Sequence, residues 1–319
     1  MCSRNNLITI LVPCYNEEKS LPIFYKEISS IVENLTEYEW EFLFINDGSK
    51  DNTATVIELI QKADKRVAFV DLSRNFGKEA AMLAGFDYAK GDAVIIMDAD
   101  LQDPPSLIPE MIKYWEEGYD DVYAKRKSRG QESWLRKHLS LAYYSLLQKM
   151  TRIDVLQNVG DFRLLDRKCI DSLIELRESE RYTKGLFCWI GFKKKEILFD
   201  RGSRTVGKSA WNLSKLIDLA LEGITSFTTA PLRISTFLGF FISLIAFVYM
   251  CVVWVKALIW GNPVAGYPSL VMIVLFLGGV QLLSLGIIGE YLGRVFNETK
   301  KRPPYILDKY IESEVRKDK

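Results

Sequence analysis

The sequence has a single histidine, His138, in 319 residues. That excludes a metal centre built on several imidazoles and makes a Ser-His-Asp triad improbable; His138 reads as a surface or interfacial side chain. The five cysteines (Cys2, Cys14, Cys169, Cys188, Cys251) are scattered and contain no Cys-x-x-Cys pair, so neither a disulfide framework nor a zinc site is expected. Charge of one sign is not in excess: 42 Lys+Arg stand against 41 Asp+Glu, which gives no polyanion signal and excludes nucleic acid as the expected partner. A hydrophobic content of 48% excludes disorder as the main state. A leader peptide is not expected. Met1–Asn6 is polar, and the apolar run Leu7–Val12 is short and meets Pro13. The large N-terminal part is therefore expected in the cytosol, which suits unpaired thiols.

What is present divides sharply. Before Arg233 the chain reads as an α/β protein. Leu7–Val12, Trp40–Ile45, Val67–Leu72 and Ala93–Met97 are short β-rich apolar runs. Helical patterns over Lys19–Leu35, Asp51–Lys62 and Lys78–Ala89 separate them. This alternation predicts βαβ units and a mostly parallel sheet covered on both faces, with ligands beyond the carboxyl ends of the strands. Pro13–Glu18, Asn46–Asp51 and Asp98–Asp103 sit at those ends and should converge.

After Arg233, charge vanishes over Ile234–Val255 and again over Ala257–Gly289. Each stretch is long enough for a hydrocarbon core that needs ~20 helical residues. Two spans are expected, at about 232–256 and 269–291, joined by a turn through Gly261-Asn262-Pro263 and Gly266-Tyr267-Pro268. Arg233 precedes the first span, and Arg294, Lys300, Lys301 and Arg302 follow the second, against Lys256 alone near the turn. Positive charge on the cytosolic side puts both termini in the cytosol and makes the protein multi-pass in the plasma membrane. Trp134–Met150, basic and apolar at helical spacing, reads as an interfacial helix, and Asn212–Phe227 as a second one. The expected organisation is a catalytic domain over 1–210, a juxtamembrane helix over 211–231, the spans within 232–293 and a cytosolic tail over 294–319. In the tail, Tyr305-Ile306-Leu307 is suited to adding an edge strand to a neighbouring protomer.

Three polar clusters carry chemistry. Asp98-Ala99-Asp100 sets two carboxylates at i and i+2 after a buried strand, where they can share a hard divalent cation with substrate phosphates, and Gln102 is a further ligand or orienter. The plain alternative is a solvated turn before Pro104-Pro105. In Asn46-Asp47-Gly48-Ser49, Asp47 can offer a carboxylate to a ligand's N–H; the alternative is a turn with Ser49 or Asp51 capping the next helix. In Val12–Glu18, Tyr15 can stack on a planar base and a carboxylate can bind ribose.

Together the strings resemble the inverting family-2 glycosyltransferases of GT-A fold, and more narrowly the polyisoprenyl-phosphate glycosyltransferases. They are VPCYNEE (Val12–Glu18), NDGSKDNT (Asn46–Thr53), LSRNFGKEAAMLAGF (Leu72–Phe86), DADLQDPP (Asp98–Pro105), GDFRLLDR (Gly160–Arg167), KGLFCWIGF (Lys184–Phe192) and PLR (Pro231–Arg233). The resemblance covers nearly the whole chain. It implies a Rossmann-like α/β catalytic domain followed by a two-helix transmembrane hairpin. It further implies transfer of a sugar, glucose first, from a UDP-sugar to polyprenyl (undecaprenyl) phosphate, with Mg²⁺ or Mn²⁺ as cofactor, and a homo-oligomer, expected to be a tetramer. By position it assigns Pro13, Tyr15, Glu17, Asp47, Asp98 and Ala99 to the nucleotide. Asp98, Asp100 and Gln102 fall to the metal, Asp161 to the catalytic base, and Arg126, Arg136, Ser140 and Arg204 to the acceptor phosphate.

Two departures stand out. Many relatives carry Asp-Asp-Gly-Ser where this chain has Asn46 first. Where they carry Gly-Xaa-Ser-Lys, this chain has Gly207-Lys208-Ser209-Ala210. Other readings are a transferase with another acceptor and a catalytically silent membrane scaffold. A processive polymer synthase is disfavoured, since no Arg-Trp pair exists in the chain.

Overall fold

The computed structural model describes residues 7–127, 159–179, 181–199 and 266–315, together with scattered helical positions between 232 and 259. The expected helices at Trp134–Met150 and Asn212–Phe227 lie outside the described residues, as do Arg136, Ser140 and Arg204. The chain forms two units, Met1–Ala220 with Pro303–Lys319, and Leu221–Arg302.

The first unit is built on one eight-stranded sheet. Its strands are β1 (Leu7–Cys14), β2 (Glu39–Asn46), β3 (Val67–Leu72), β4 (Ala93–Ile96), β5 (Asp121–Arg126), β6 (Val159–Asp166), β7 (Lys194–Phe199) and β8 (Leu307–Ile311), in the order β7-β5-β6-β4-β1-β2-β3-β8. β4, β1, β2 and β3 run parallel. β6 is antiparallel to both β4 and β5, and β7 is parallel to β5. The four apolar runs read from the sequence are the four parallel strands. Their residues are buried almost without alternation, as strands covered on both faces require.

The covering helices show why. Helix α1 (Leu21–Val32) turns Leu21, Phe24, Ile28 and Val32 inward at helical spacing. Helix α2 is Thr53–Ala63. Helix α3 (Lys78–Tyr88) is buried through Ala81–Phe86, and it packs close: a Cβ on Gly85 would come within 2.4 Å of Leu11 Cδ1. A 3₁₀ turn (Pro105–Leu107) leads into α4 (Ile108–Glu116). Helices α5 (Arg167–Glu175) and α6 (Thr183–Trp189) follow among the described residues.

Register fixes where the site lies. Leu7 pairs with Glu39 and Cys14 with Asn46, so β1 and β2 end level. β4 stops at Ile96, opposite Leu11. Leu11 O accepts from Met97 N, so odd-numbered residues of β1 bond toward β4. Pro13 lies on that side beyond the end of β4, where its missing N–H leaves no ladder bond unmade.

The tail corrects one expectation. Rather than serving a neighbour, Leu307–Ile311 pairs antiparallel with β3 of its own sheet, Phe69 opposite Ile311 and Val70 opposite Tyr310. Beyond β8 the fully buried Ser313 donates to Glu41 Oε1 at 2.7 Å. Glu41 Oε2 accepts from the Thr9 hydroxyl at 2.7 Å and from Lys90 N at 3.0 Å. Glu41 thus joins β1, the turn before β4 and the tail.

The second unit contains helix α7, Tyr267–Thr299. At 33 residues it is ~50 Å long by the rise of 1.5 Å per residue. Its stretch Phe276–Thr299 is the one helical segment among the described residues long and apolar enough to cross a membrane. Along it Leu282, Leu283, Leu285 and Leu292 are all exposed.

Candidate functional site

The carboxyl ends of β1 and β2 are tied by their own loops. Asn16, at φ 58°, accepts from Lys50 N at 2.8 Å through Oδ1, and its N–H donates to Ser49 Oγ at 3.0 Å. Glu17 N donates to Thr53 Oγ1, and Asn52 donates to Glu18 Oε2 through both nitrogens. Asp51 Oδ1 accepts from Thr53 N at 3.0 Å, a bond to the first residue of α2 from one position before its N-cap, Asn52. Ser49 is spent on Asn16 instead. Tyr15 stays exposed at the rim. Burial raises the Glu17 carboxyl above its ordinary range; the Ser20 hydroxyl partly offsets this, and the charges of Asp100 and Asp98 add to it.

Asp47 is anchored by the loop before α3: its Oδ1 and Oδ2 accept from Phe76 N at 2.7 Å and Gly77 N at 2.9 Å. Gly48 allows this at φ 59°, since a Cβ there would lie 2.3 Å from the Arg74 carbonyl carbon. Asn46 Nδ2 donates to Asp71 Oδ1 at 2.7 Å. An Asp at 46 would set two carboxylates against each other, so the departure from the common pattern is matched by its neighbour.

Asp47 thereby fixes the start of α3, and the first residue of α3 is Lys78. Lys78 Nζ lies 2.6 Å from Asp98 Oδ1 and 2.6 Å from Asp161 Oδ2. The register explains the meeting. Ile96 pairs with Arg163 across β4 and β6, and two further steps bring Asp98 opposite Asp161. Like charges directly opposite repel, and the Lys78 ammonium between them offsets that repulsion. Lys184, at the start of α6, stands 3.9 Å from Asp161 Oδ1. Glu79 holds that helix in place by accepting from Thr183 N at 3.0 Å. Burial alone would raise the Asp161 carboxyl, but Lys78 and Lys184 outweigh it and hold it down to about 2. The two carboxylates in turn raise Lys78 above the usual ammonium range against its own desolvation.

The turn after β4 is tight. Leu101 sits at φ 56°, an uncommon conformation for a residue without special turn chemistry, and Asp100 Oδ1 accepts from Gln102 N at 3.1 Å. Ala99, Gln102 and Asp103 are buried. Burial, with Asp98 nearby, pushes the Asp103 carboxyl up to about 6, against the pull of Arg126. Arg126, at the end of β5, lies 4.0 Å from Asp103 and beside Gly160. Gln102 Oε1, Asp103 Oδ1, Arg126 Nε and Asp161 Oδ1 are all buried without a hydrogen-bond partner among the described residues. Buried polar atoms left open in this way cost free energy unless something fills them.

The structure therefore brings together Glu17, Asp98, Asp100, Gln102, Asp161 and Arg126 from the sequence-derived set. It adds Lys78, Lys184 and Asp103, which sequence reasoning missed. Among the described residues no group of three His, Cys, Asp or Glu side chains is disposed to hold a metal by itself. Two carboxylates beside an open amide oxygen fit a hard cation of the Mg²⁺ type, which takes one or two carboxylates and completes its shell with phosphate and water. Arg163, two residues along the same strand from Asp161, is structural. Fully buried, it reaches Asp121 at 3.1 Å and lies over the Phe187 ring at 3.8 Å.

A parallel-centred α/β sheet with acidic clusters at its strand ends and an antiparallel β6 presenting Asp161 is a GT-A-like arrangement. The chain belongs to glycosyl transferase family 2, whose profile matches residues 9–174, and a second profile, the GtrB C-terminal hairpin, matches residues 230–295. It is 46% identical over 95% of its length to the putative glycosyltransferase CsbB of Bacillus subtilis (strain 168), covering 92% of that protein. It is 45% identical over 95% of its length to the bactoprenol glucosyl transferase of Shigella phage SfII, covering 97% of it. Among solved structures, glucosyl-3-phosphoglycerate synthase from Mycobacterium tuberculosis, in complex with Mn²⁺ and UDP-glucose, aligns over 70% of this chain and 77% of its own. The TM-score is 0.46 at 20% identity.

Proposed function

We propose that this glycosyltransferase moves a sugar, glucose first, from a UDP-sugar to a polyprenyl phosphate such as undecaprenyl phosphate, with inversion and with Mg²⁺ or Mn²⁺ as cofactor. The observation that carries the reading is the meeting of Asp98 and Asp161 on one cation, ringed by buried polar atoms left open. Asp98 and Asp100 would hold the divalent ion, with Gln102 Oε1 in support. When bound, such an ion offsets the charge of a leaving diphosphate. Tyr15 and Glu17, at the rim of the same strand ends, suit the base and ribose.

The acceptor side follows from charge. A phosphate monoester has a second pKa of ~6 and is mostly dianionic at neutral pH, so its attack needs little help from a base. Asp161 is already ionised and engaged by two lysines. Its part is to orient Lys78 and Lys184 so that cations, rather than carboxylates, face the incoming anion. Arg126 supplies a further guanidinium, a group suited to phosphate oxygens. In-line attack without a covalent intermediate turns an α-linked donor into a β-linked lipid product.

The long exposed helix α7 and the charge-free stretch before it suit a membrane hairpin with both chain ends in the cytosol. That arrangement keeps the domain beside an acceptor whose phosphate lies at headgroup level. The name bactoprenol glucosyl transferase, carried by relatives alike over nearly the whole chain, supports the acceptor class. The test is to incubate detergent-purified full chain with Mn²⁺, undecaprenyl phosphate and a panel of UDP- and GDP-sugars, and to read glycolipids by mass spectrometry. A lipid-phosphate-sugar that Asp98→Ala abolishes is the expected result. UDP release without a lipid product would overturn the acceptor. Neither product nor nucleotide binding would overturn the enzyme reading.

A further inference from the structure

Lys78 belongs to none of the three strand-end clusters, yet its ammonium is central to them. It is equidistant, at 2.6 Å, from Asp98 Oδ1 and Asp161 Oδ2. Its place is fixed from behind, because Asp47 grips Phe76 N and Gly77 N immediately before it. Two carboxylates, one just beyond β4 and one on β6, repel where they share one ammonium, and the positive charge between them offsets that repulsion. Lysine is the residue for a charge that must be able to leave: a compact ammonium on a flexible four-carbon stem.

We infer that Lys78 is a resident counter-cation. It occupies the Asp98 oxygen that a divalent ion would use, and it yields that oxygen only when the ion arrives together with a nucleotide diphosphate. The inference rests on the donor reading above and deepens it. Without nucleotide, a divalent ion must displace the ammonium and gains only the oxygens of Asp98, Asp100 and Gln102. With the diphosphate it also gains phosphate oxygens, and the released ammonium, still held by Asp161, gains a phosphate partner. Metal and nucleotide therefore bind with positive coupling, and Lys78 is a positioning residue that sets its size.

The experiment measures Mn²⁺ affinity by electron paramagnetic resonance on the purified full chain, with and without UDP, for wild type, Lys78→Met, Lys78→Gln and Lys78→Arg. In the wild type UDP should tighten Mn²⁺ binding clearly, couplings of roughly 5–150-fold being usual. Removing the ammonium should raise nucleotide-free Mn²⁺ affinity by about tenfold and shrink that coupling, while glycolipid formation falls. Lys78→Arg, which keeps the charge, should keep weak nucleotide-free binding. A merely structural lysine would give metal binding that is unchanged or weaker in folded Lys78→Met or Lys78→Gln, and that result overturns the inference while leaving the donor reading intact. A wild type that binds Mn²⁺ equally with and without UDP also overturns it. A wild type that binds no Mn²⁺ even with UDP sinks both.

Discussion

Glu41 and Asp161 are both acids on strands of the same sheet, and the chain treats them in opposite ways. Glu41 is fully buried, and its two oxygens are filled by neutral donors of the chain itself: the Thr9 hydroxyl, Lys90 N and the Ser313 hydroxyl. Asp161, almost as enclosed, is met by the ammonium groups of Lys78 and Lys184 and keeps an oxygen without a hydrogen bond. A carboxylate closed by its own backbone and hydroxyls is architecture, because nothing further can reach it. One balanced by lysine ammonium groups and left partly open still has an oxygen to offer a ligand. Burial alone does not separate the two; the chemistry of the partners does.

The sharpest break of this contrast is at Asp161. Asp161→Asn keeps the shape and removes the charge that orients the lysines. Transfer to lipid phosphate should fall by about 10²-fold with the thermal unfolding midpoint little changed. Loss of folding with loss of activity would place Asp161 with Glu41.

Glu41→Ala should do the reverse. It strands three buried donors and should cost about 3 kcal/mol. For a unit of this size that lowers the unfolding midpoint by roughly 6–12 °C. The rate per folded molecule should hold below that midpoint, so a specific loss of transfer would blur the distinction.

Ser313→Ala removes one of the three donors and should cost about 1.5 kcal/mol, read from the same unfolding curves. The smallest effect concerns the acid flank of stability at the start of β3. There burial would raise Asp64, but the Arg66 guanidinium and the Tyr25 hydroxyl outweigh it and hold the carboxyl below its ordinary value. A depressed acid stabilises the fold above the unfolded value of ~3.9, and that contribution disappears as pH falls through the folded value. Asp64→Asn should therefore lower stability at pH 7 and flatten its decline below pH ~4. An unchanged acid limb would show that Asp64 adds nothing there.

Legibility in the sequence follows the range of the contacts. β1 to β4 and helices α1 to α3 are readable because continuous apolar runs alternating with amphipathic stretches are local signals. Asp98, Asp100, Gln102 and Asp161 are legible as motifs. Lys78 reads as an ordinary solvated first-turn lysine, since its partners lie far along the chain on two other elements. Glu41 reads as the polar side of Glu39-Trp40-Glu41, and only the returning tail makes it buried. Asp47 was legible as a carboxylate that would take N–H groups, and its bonds to the chain's own Phe76 and Gly77 were not, because that loop is distant in sequence. The edge strand of the tail was legible as a strand, while its partner was not, because register with β3 is written in neither segment alone.

That edge strand also sets an order of events in biosynthesis. β3 leaves the ribosome early, and its outer edge stays open until Leu307–Ile311 has been made. Every intervening residue, including the whole apolar stretch before the tail, is translated first. On the membrane reading, the enzyme domain closes its sheet and buries Ser313 on Glu41 only after its anchor has reached the insertion machinery. A chain released before that point carries an unpaired strand edge, the kind of surface that draws chaperones and proteases.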